Sequence, residues 1–303
     1  MLTADRLERL KNLTPTKRAL LLKHLQEQTA PAEEFTLIPR RAQQNPSPLS
    51  FAQQRLWFLD QLEPGSAAYN IPTALRLTGR LDATALGRTL DEVVRRHEVL
   101  RTTFVEVDGE PAQVVKEFER MSLPLTDLSH LPEGEREAEA QRLTRLERQK
   151  AFDLAAGPLL RATLLRLSEE EHILLVTMHH IISDGWSTGI FIREMSALYS
   201  AFTSGDESPL EELPIQYADY ATWQRQHLSD EVLDAQLSYW RTQLGGAPAL
   251  LELPTDRPRP PAQTYRGARH SFTIPAELTS HLTALSQEEG CTLFMTLLAG
   301  WQA

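Results

Sequence analysis

Two adjacent histidines and a carboxylate lie within a few residues of each other in Thr177-Met-His-His-Ile-Ile-Ser-Asp-Gly-Trp-Ser187. An imidazole can gain or lose a proton near neutral pH, and a carboxylate can orient it or share its charge. Gly185, lacking a Cβ, leaves room for a ligand or another backbone. His179, His180, Asp184 and Gly185 thus have the makings of a proton-handling site. The same residues can also be read as strand-end polar groups followed by a helix cap, and the segment alone leaves both readings open.

Flanking elements must decide where these groups point. Ile173-Leu-Leu-Val176 is a short continuous apolar run, which predicts a buried strand, and Thr188 to Phe202 has helical apolar spacing. The histidines therefore fall where a strand ends, with Ser183 or Asp184 as the cap of the next helix.

The same periodicities order the rest of the chain. Thr73 to Leu81 reads as a strand, and Asp82 caps a helix running through His97 with Leu86, Leu90, Val93 and Val94 on one face. Arg101 to Val107, the turn Asp108-Gly109 and Gln113 to Phe118 form a hairpin. A charged helix follows from about Pro132 to Gln149, then a second hairpin from Leu159 to Leu167 and His172 to Met178 across an acidic turn. With the helix after the histidines this makes the order βαββαββα, an α/β (α+β) arrangement in which a sheet carries helices. Gly205 to Pro214 reads as a surface loop and Tyr217 to about Leu244 as a long helical region. In Ser50 to Leu62, the stripe Phe51, Arg55, Phe58 and Leu62 has the spacing of a core face.

Around this lobe, assigned to residues 49–250, the sequence predicts a helical leader over 1–28, a linker over 29–48 and a proline-rich linker over 251–264. Gly267 to Ile274 reads as a strand and Pro275 to Glu289 as a helix, so 265–303 is expected to begin a second, similar unit and to be incomplete. The pattern from Leu293 to Trp301 is cut short by the end of the sequence, from which the expectation is a chain taken from something longer. Met1 followed directly by a leader suggests a domain that opens its polypeptide.

Bulk properties narrow the classes of function. Thirty-one basic against forty-one acidic residues give a net charge of −10, which disfavours nucleic acid and acidic partners. The single cysteine, Cys291, allows no internal disulfide and no multi-cysteine metal site. No apolar run approaches the roughly 20 residues needed to cross a bilayer, and the N-terminus lacks the apolar stretch of a signal peptide. A cytoplasmic setting is expected.

His179-His-Ile-Ile-Ser-Asp-Gly185 matches the His-His-x-x-x-Asp-Gly motif of the condensation domains of nonribosomal peptide synthetases, which are related in fold to chloramphenicol acetyltransferase. Ser50 to Leu62, Arg96-His-Glu-Val-Leu-Arg-Thr-Thr-Phe104 and Tyr217 to Trp223 resemble three further motifs in the family's order. The resemblance implies an acyltransferase that joins a donor thioester to an acceptor amine, both borne on phosphopantetheine arms. The arms belong to upstream and downstream carrier proteins, with an adenylation domain adjacent. It implies no cofactor or metal bound by the domain itself. The family's domain has two similar lobes facing a tunnel, and this chain would supply the first and the opening of the second.

Carried over by motif, His180 lies where amine and carbonyl meet, as base, as positioning group or as stabiliser of charge. Asp184 is expected to pair with Arg96, and Gly185 either to let an N–H approach the thioester oxygen or to permit tight helix packing. His179 would brace the loop, with Ser183, Arg96 and Arg101 in support; Tyr217 and Trp223 read as core. The Asp184-Gly-Trp-Ser187 continuation and Arg55 to Leu62 resemble members that join an L donor to an L acceptor. Two other readings compete: a carrier-docking lobe not catalytic by itself, and a metal hydrolase using His179, His180 and Asp184. Adjacent strand-end histidines project to different sides, which disfavours the hydrolase.

Overall fold

In a computed structural model, the described residues are 38–42, 45–258, 260, 267 and 270–303, so the expected leader and much of the expected linker lie outside them. The elements are β1 (Ser47–Pro48), α1 (Phe51–Leu62), β2 (Asn70–Thr78), α2 (Ala83–Arg96), a 3-10 turn (Glu98–Arg101), β3 (Thr102–Val107), β4 (Glu110–Val115), β5 (Leu125–Asp127), α3 (Glu133–Gln149), β6 (Leu160–Ser168), β7 (Glu171–His179), α4 (Gly185–Ser204), α5 (Tyr217–His227) and α6 (Asp230–Gln243). Residue contacts divide the chain after Ala247, and the second unit contains α7 (Ala276–Glu288) and α8 (Leu293–Gln302).

The expected βαββαββα order is present as β2, α2, β3, β4, α3, β6, β7 and α4, but its strands separate into two sheets. One has the order β2-β7-β6-β5 and the other β1-β4-β3. β7 is central, antiparallel to both β2 and β6. Its alternate residues serve two cores: Leu174, Val176 and Met178 face the main core, which includes Leu86, Leu90 and Val93 of α2 and Phe191, Met195 and Leu198 of α4. Ile173 and Leu175 face a smaller core with Ala140 of α3. Helices covering both faces explain why β7 is continuously apolar rather than alternating.

β2 starts three residues earlier than the periodicity suggested, because Pro72 reads as a breaker. At the edge of a sheet the N–H that proline lacks has no ladder partner to lose, so Pro72 pairs with Thr177 without cost to the ladder. β1 and β5, of two and three residues, are too short to leave a pattern. The β3–β4 hairpin closes more tightly than expected. Val107 pairs with Glu110, and the two turn residues take φ of 53° at Asp108 and 83° at Gly109, the backbone that favours Asp-Gly. Gly157 is required by close packing: a Cβ there would lie 2.9 Å from Thr103 Cγ2, at a φ of +62°.

Three expectations change. The long helical region is two helices, interrupted at Leu228-Ser229. In α1 the predicted core stripe faces outward, with Phe51, Phe58 and Leu62 exposed, while Gln53 and Leu56 are buried. Gln53 can be buried because it is satisfied locally: its Oε1 accepts from Ser50 N and its backbone N–H donates to Ser50 Oγ, a capping box. In the second unit α7 and α8 form as expected, joined by a 2.6 Å hydrogen bond between Ser286 Oγ and Thr296 Oγ1. Residues 270–274 are not in a strand; a strand needs a ladder partner, and none of the described residues provides one.

Candidate active site

The β2–β7 ladder ends at the histidines. Asn70 is paired with His179, and one further bond, from His180 N to Tyr69 O at 2.8 Å, fixes the backbone of the next residue. Because side chains alternate along a strand, the two rings go to opposite sides. His179 is buried, edge-on to Phe152 and tilted against Tyr69, and its Nδ1 accepts from Ile181 N at 3.1 Å. Burial first, and the neighbouring His180 second, push its pKa down to about 4. This ring is neutral and braces the loop.

His180 is exposed, and its Nδ1 is 2.7 Å from the carbonyl oxygen of Ser183. A carbonyl can only accept, so Nδ1 carries the hydrogen and Nε2 of the neutral ring keeps a free lone pair. The ring lines a cavity of about 620 Å³, shared with Arg55, Tyr69, His97, Asp184 and Tyr217 and otherwise largely apolar. That volume suits a small-molecule substrate.

Asp184, rather than Ser183, caps α4: its Oδ1 accepts from Ser187 N at 2.8 Å and from Ser187 Oγ at 2.6 Å. Those bonds hold its carboxyl below the usual carboxylate range, against partial burial, and His180 adds to the effect. Ser183 turns its Oγ inward, where it is buried without a hydrogen-bond partner among the described residues, and contributes its carbonyl to His180. At Gly185 an added Cβ would meet nothing within 4 Å among the described residues, so tight packing against them does not account for this glycine.

The expected Asp184–Arg96 pair is absent. Asp184 is committed to its own helix end, and Arg96, buried at the end of α2, meets Glu194 further along α4 instead. There its Nε is 3.5 Å from Glu194 Oε2 and its Nη1 donates to Leu210 O at 3.4 Å. Arg96 is therefore not a solvated helix end. Arg101 does not line the cavity; its guanidinium donates to Lys116 O beside the β3–β4 hairpin.

Tyr217, read from sequence as core, lines the cavity, with its hydroxyl 3.1 Å from Ser50 Oγ. Burial raises the pKa of its phenol, Ser50 opposes that, and Tyr220 and Asp184 add to the rise. Trp223 is stacked on His227 instead, with 4.7 Å between ring centroids. α1 also belongs to the site: Ala52, Arg55 and Leu56 line the cavity, and Gln53 Nε2 lies 3.4 Å from Ile181 O, tying the helix to the histidine loop. No single residue of α1 signalled this, because its contribution is positional.

Residues 38–42 cross the lobe beside the cavity, which Ile38 lines. Arg41 anchors this strap with a 2.6 Å bond to Glu98 Oε2 and a 2.8 Å bond to Asp219 Oδ1. Among the described residues no group of three or more His, Cys, Asp or Glu side chains could hold a metal ion, and the two histidines of the motif do not converge.

A family model described as "Condensation domain" matches residues 43–303. The chain belongs to the condensation domain family. A linear gramicidin synthase protein of Brevibacillus parabrevis is 54% identical over 255 residues, covering 84% of this chain and 3% of that protein. Phosphinothricin tripeptide synthetase PhsC of Streptomyces viridochromogenes is 46% identical over 296 residues, covering 97% of this chain and 27% of that protein. Among solved structures, the X-domain from teicoplanin biosynthesis aligns with a TM-score of 0.71 at 29% identity, over 84% of this chain and 56% of that one. The starter condensation domain of rhizomide synthetase RzmA aligns with a TM-score of 0.62 at 23% identity, over 68% of this chain and 49% of that one, a likeness of fold. This condensation-domain chain thus spans a small part of the synthetases it resembles and about half of the solved domains.

Proposed function

We propose that the chain forms amide bonds in nonribosomal peptide synthesis, joining a donor acyl or peptidyl thioester to an acceptor aminoacyl thioester. The observation that carries this reading is the exposed His180 ring, held by Ser183 O at one nitrogen and free at the other, in a cavity of about 620 Å³. A fixed neutral imidazole with an open Nε2 can accept a hydrogen bond from the attacking amine and then its proton as the C–N bond forms. The thiol of the donor's arm leaves with a proton, so the exchange balances. Asp184, Ser183, Gly185 and His179 shape the loop that presents this nitrogen, while Arg96 and Arg101 tie down the elements around it.

In the same reading, the substrates arrive on phosphopantetheine arms of an upstream and a downstream carrier protein, next to an adenylation domain. The Asp184-Gly-Trp-Ser187 continuation favours an L-configured donor. The test is a condensation assay of the synthetase that carries this chain, with both carriers loaded and L- and D-donors compared. His180→Ala is expected to lower product formation about a hundredfold or more, in the range removed with a general base, while leaving carrier loading unchanged. Product formed at the wild-type rate would refute the role of His180, and equal use of both donors would refute the stereochemical assignment.

A further inference from the structure

The cavity holds a second histidine that the motif leaves without a task. His97 sits where α2 ends, its backbone N–H donating to Val93 O at 3.1 Å and its carbonyl accepting from Leu100 N at 3.0 Å, so its position is fixed between α2 and the 3-10 turn. Its Nε2 lies 2.8 Å from Glu194 Oε2, and the buried guanidinium of Arg96 approaches the same oxygen from 3.5 Å. A carboxylate flanked by a guanidinium accepts, so His97 Nε2 bears the hydrogen and Nδ1 of the neutral ring keeps its lone pair. Nδ1 has no hydrogen-bond partner among the described residues and is not a buried atom. The cavity thus contains two imidazoles, each held by a fixed acceptor at one nitrogen and open at the other, His180 by Ser183 O and His97 by Glu194.

We infer that His97 receives the acceptor substrate as its ammonium form and removes the first proton, delivering the neutral amine whose second proton passes to His180. This inference rests on the amide-forming reading above. An α-ammonium group has a pKa of about 8, so near neutral pH about nine-tenths of it is protonated and cannot attack a thioester. At His97, the N–H bond of the ammonium breaks and its electron pair stays on nitrogen. The proton moves to Nδ1, and the resulting imidazolium is stabilised through Nε2–H by the Glu194 carboxylate, which holds the ring from its far side. Of the charged and titratable groups around this ring, Glu194 on α4 contacts it and Arg96 on α2 shares the same carboxylate oxygen, while Arg55, Tyr69, His180, Asp184, Tyr217 and Tyr220 line the cavity with it.

The test is His97→Gln in the carrier-loaded synthetase, since a glutamine amide can still donate to Glu194 but cannot accept a proton. The expected result is about a tenfold fall in rate at pH 7, the fraction set by an amine of pKa about 8, shrinking to parity by about pH 9, where the amine is already neutral. An acceptor bearing an aminooxy group, neutral across this range, should be joined equally fast by wild type and variant at about pH 7. A loss that is the same at both pH values and for both acceptors would overturn the assignment and leave His97 a structural residue. His180→Ala, run in parallel, is expected to lower the rate about a hundredfold at every pH and with either acceptor; a wild-type protein that joins neither acceptor would overturn the amide-forming reading independently of His97.

Discussion

His179 and His180 are adjacent and of the same type, yet one has a pKa of about 4 and the other an open nitrogen facing a cavity. The difference is solvation. A ring packed against Phe152 and Tyr69 loses the water that would stabilise its charge. This has a measurable consequence for stability. The unfolded chain takes up a proton at His179 near pH 6.5 and the folded one only near pH 4, so stability is complete above about 6.5 and falls as the pH drops towards 4, by roughly 3 kcal/mol in all. His179→Asn retains an acceptor for Ile181 N but cannot titrate. Urea unfolding of the 303-residue chain at several pH values between about 7 and 4 should show a shallower decline for the variant; parallel curves would refute the buried neutral ring. Sequence made both histidines candidates, whereas their ranking needed burial and the carbonyl of Ser183.

At the scale of elements, the site depends on how α4 begins and how the strap crosses it. Asp184→Ala removes the cap of α4 and is expected to cost about 1 kcal/mol, while Asp184→Asn, which still offers an oxygen to Ser187 N, should cost less than half of that. If Asp184 were instead the ionic partner of Arg96, asparagine would be nearly as costly as alanine, so thermal denaturation of the two variants separates cap from ion pair. The strap invites a second substitution. Arg41→Ala leaves the almost fully buried Asp219 without its cation, and a cost of about 2 kcal/mol is expected from the lost charge-assisted bonds, together with faster proteolysis near residues 38–42. Unchanged stability and cleavage would show that Arg41 does not anchor the strap. The cap was legible locally as Ser183 or Asp184, and the structure chose Asp184. The Arg41 contacts, which span 57 and 178 residues of sequence, were not.

Across the whole molecule, the central strand β7 carries two cores and ends at the site, so packing on both faces holds the histidine loop in place. The contacts divide at Ala247, and Leu250, Leu251 and Leu253 beyond it are exposed. Limited digestion with thermolysin, which cuts before exposed apolar residues, is expected to cleave first between residues 244 and 258 and to leave the first unit folded by circular dichroism. First cuts within β6 or β7 would contradict this division. No described helix is long and apolar enough to cross a membrane.

By itself the sequence determined the order of the elements, the place of the histidines at a strand end and the caps and turns. Each of these follows from local periodicity or from the conformational preference of a few residues, as at Asp82, Asp108-Gly109 and Asp184. Tertiary structure decided which side chains share the cavity. It turned the apolar stripe of α1 outward and its Gln53 inward, brought Tyr217 to the cavity, and matched Arg96 with Glu194 instead of Asp184. Those outcomes depend on which face of each helix meets the sheet and on contacts between distant residues, and periodicity within one segment carries no information about either. The His97–Glu194 pair is of this kind: each residue is ordinary in its own segment, and the packing of α2 against α4 makes them neighbours.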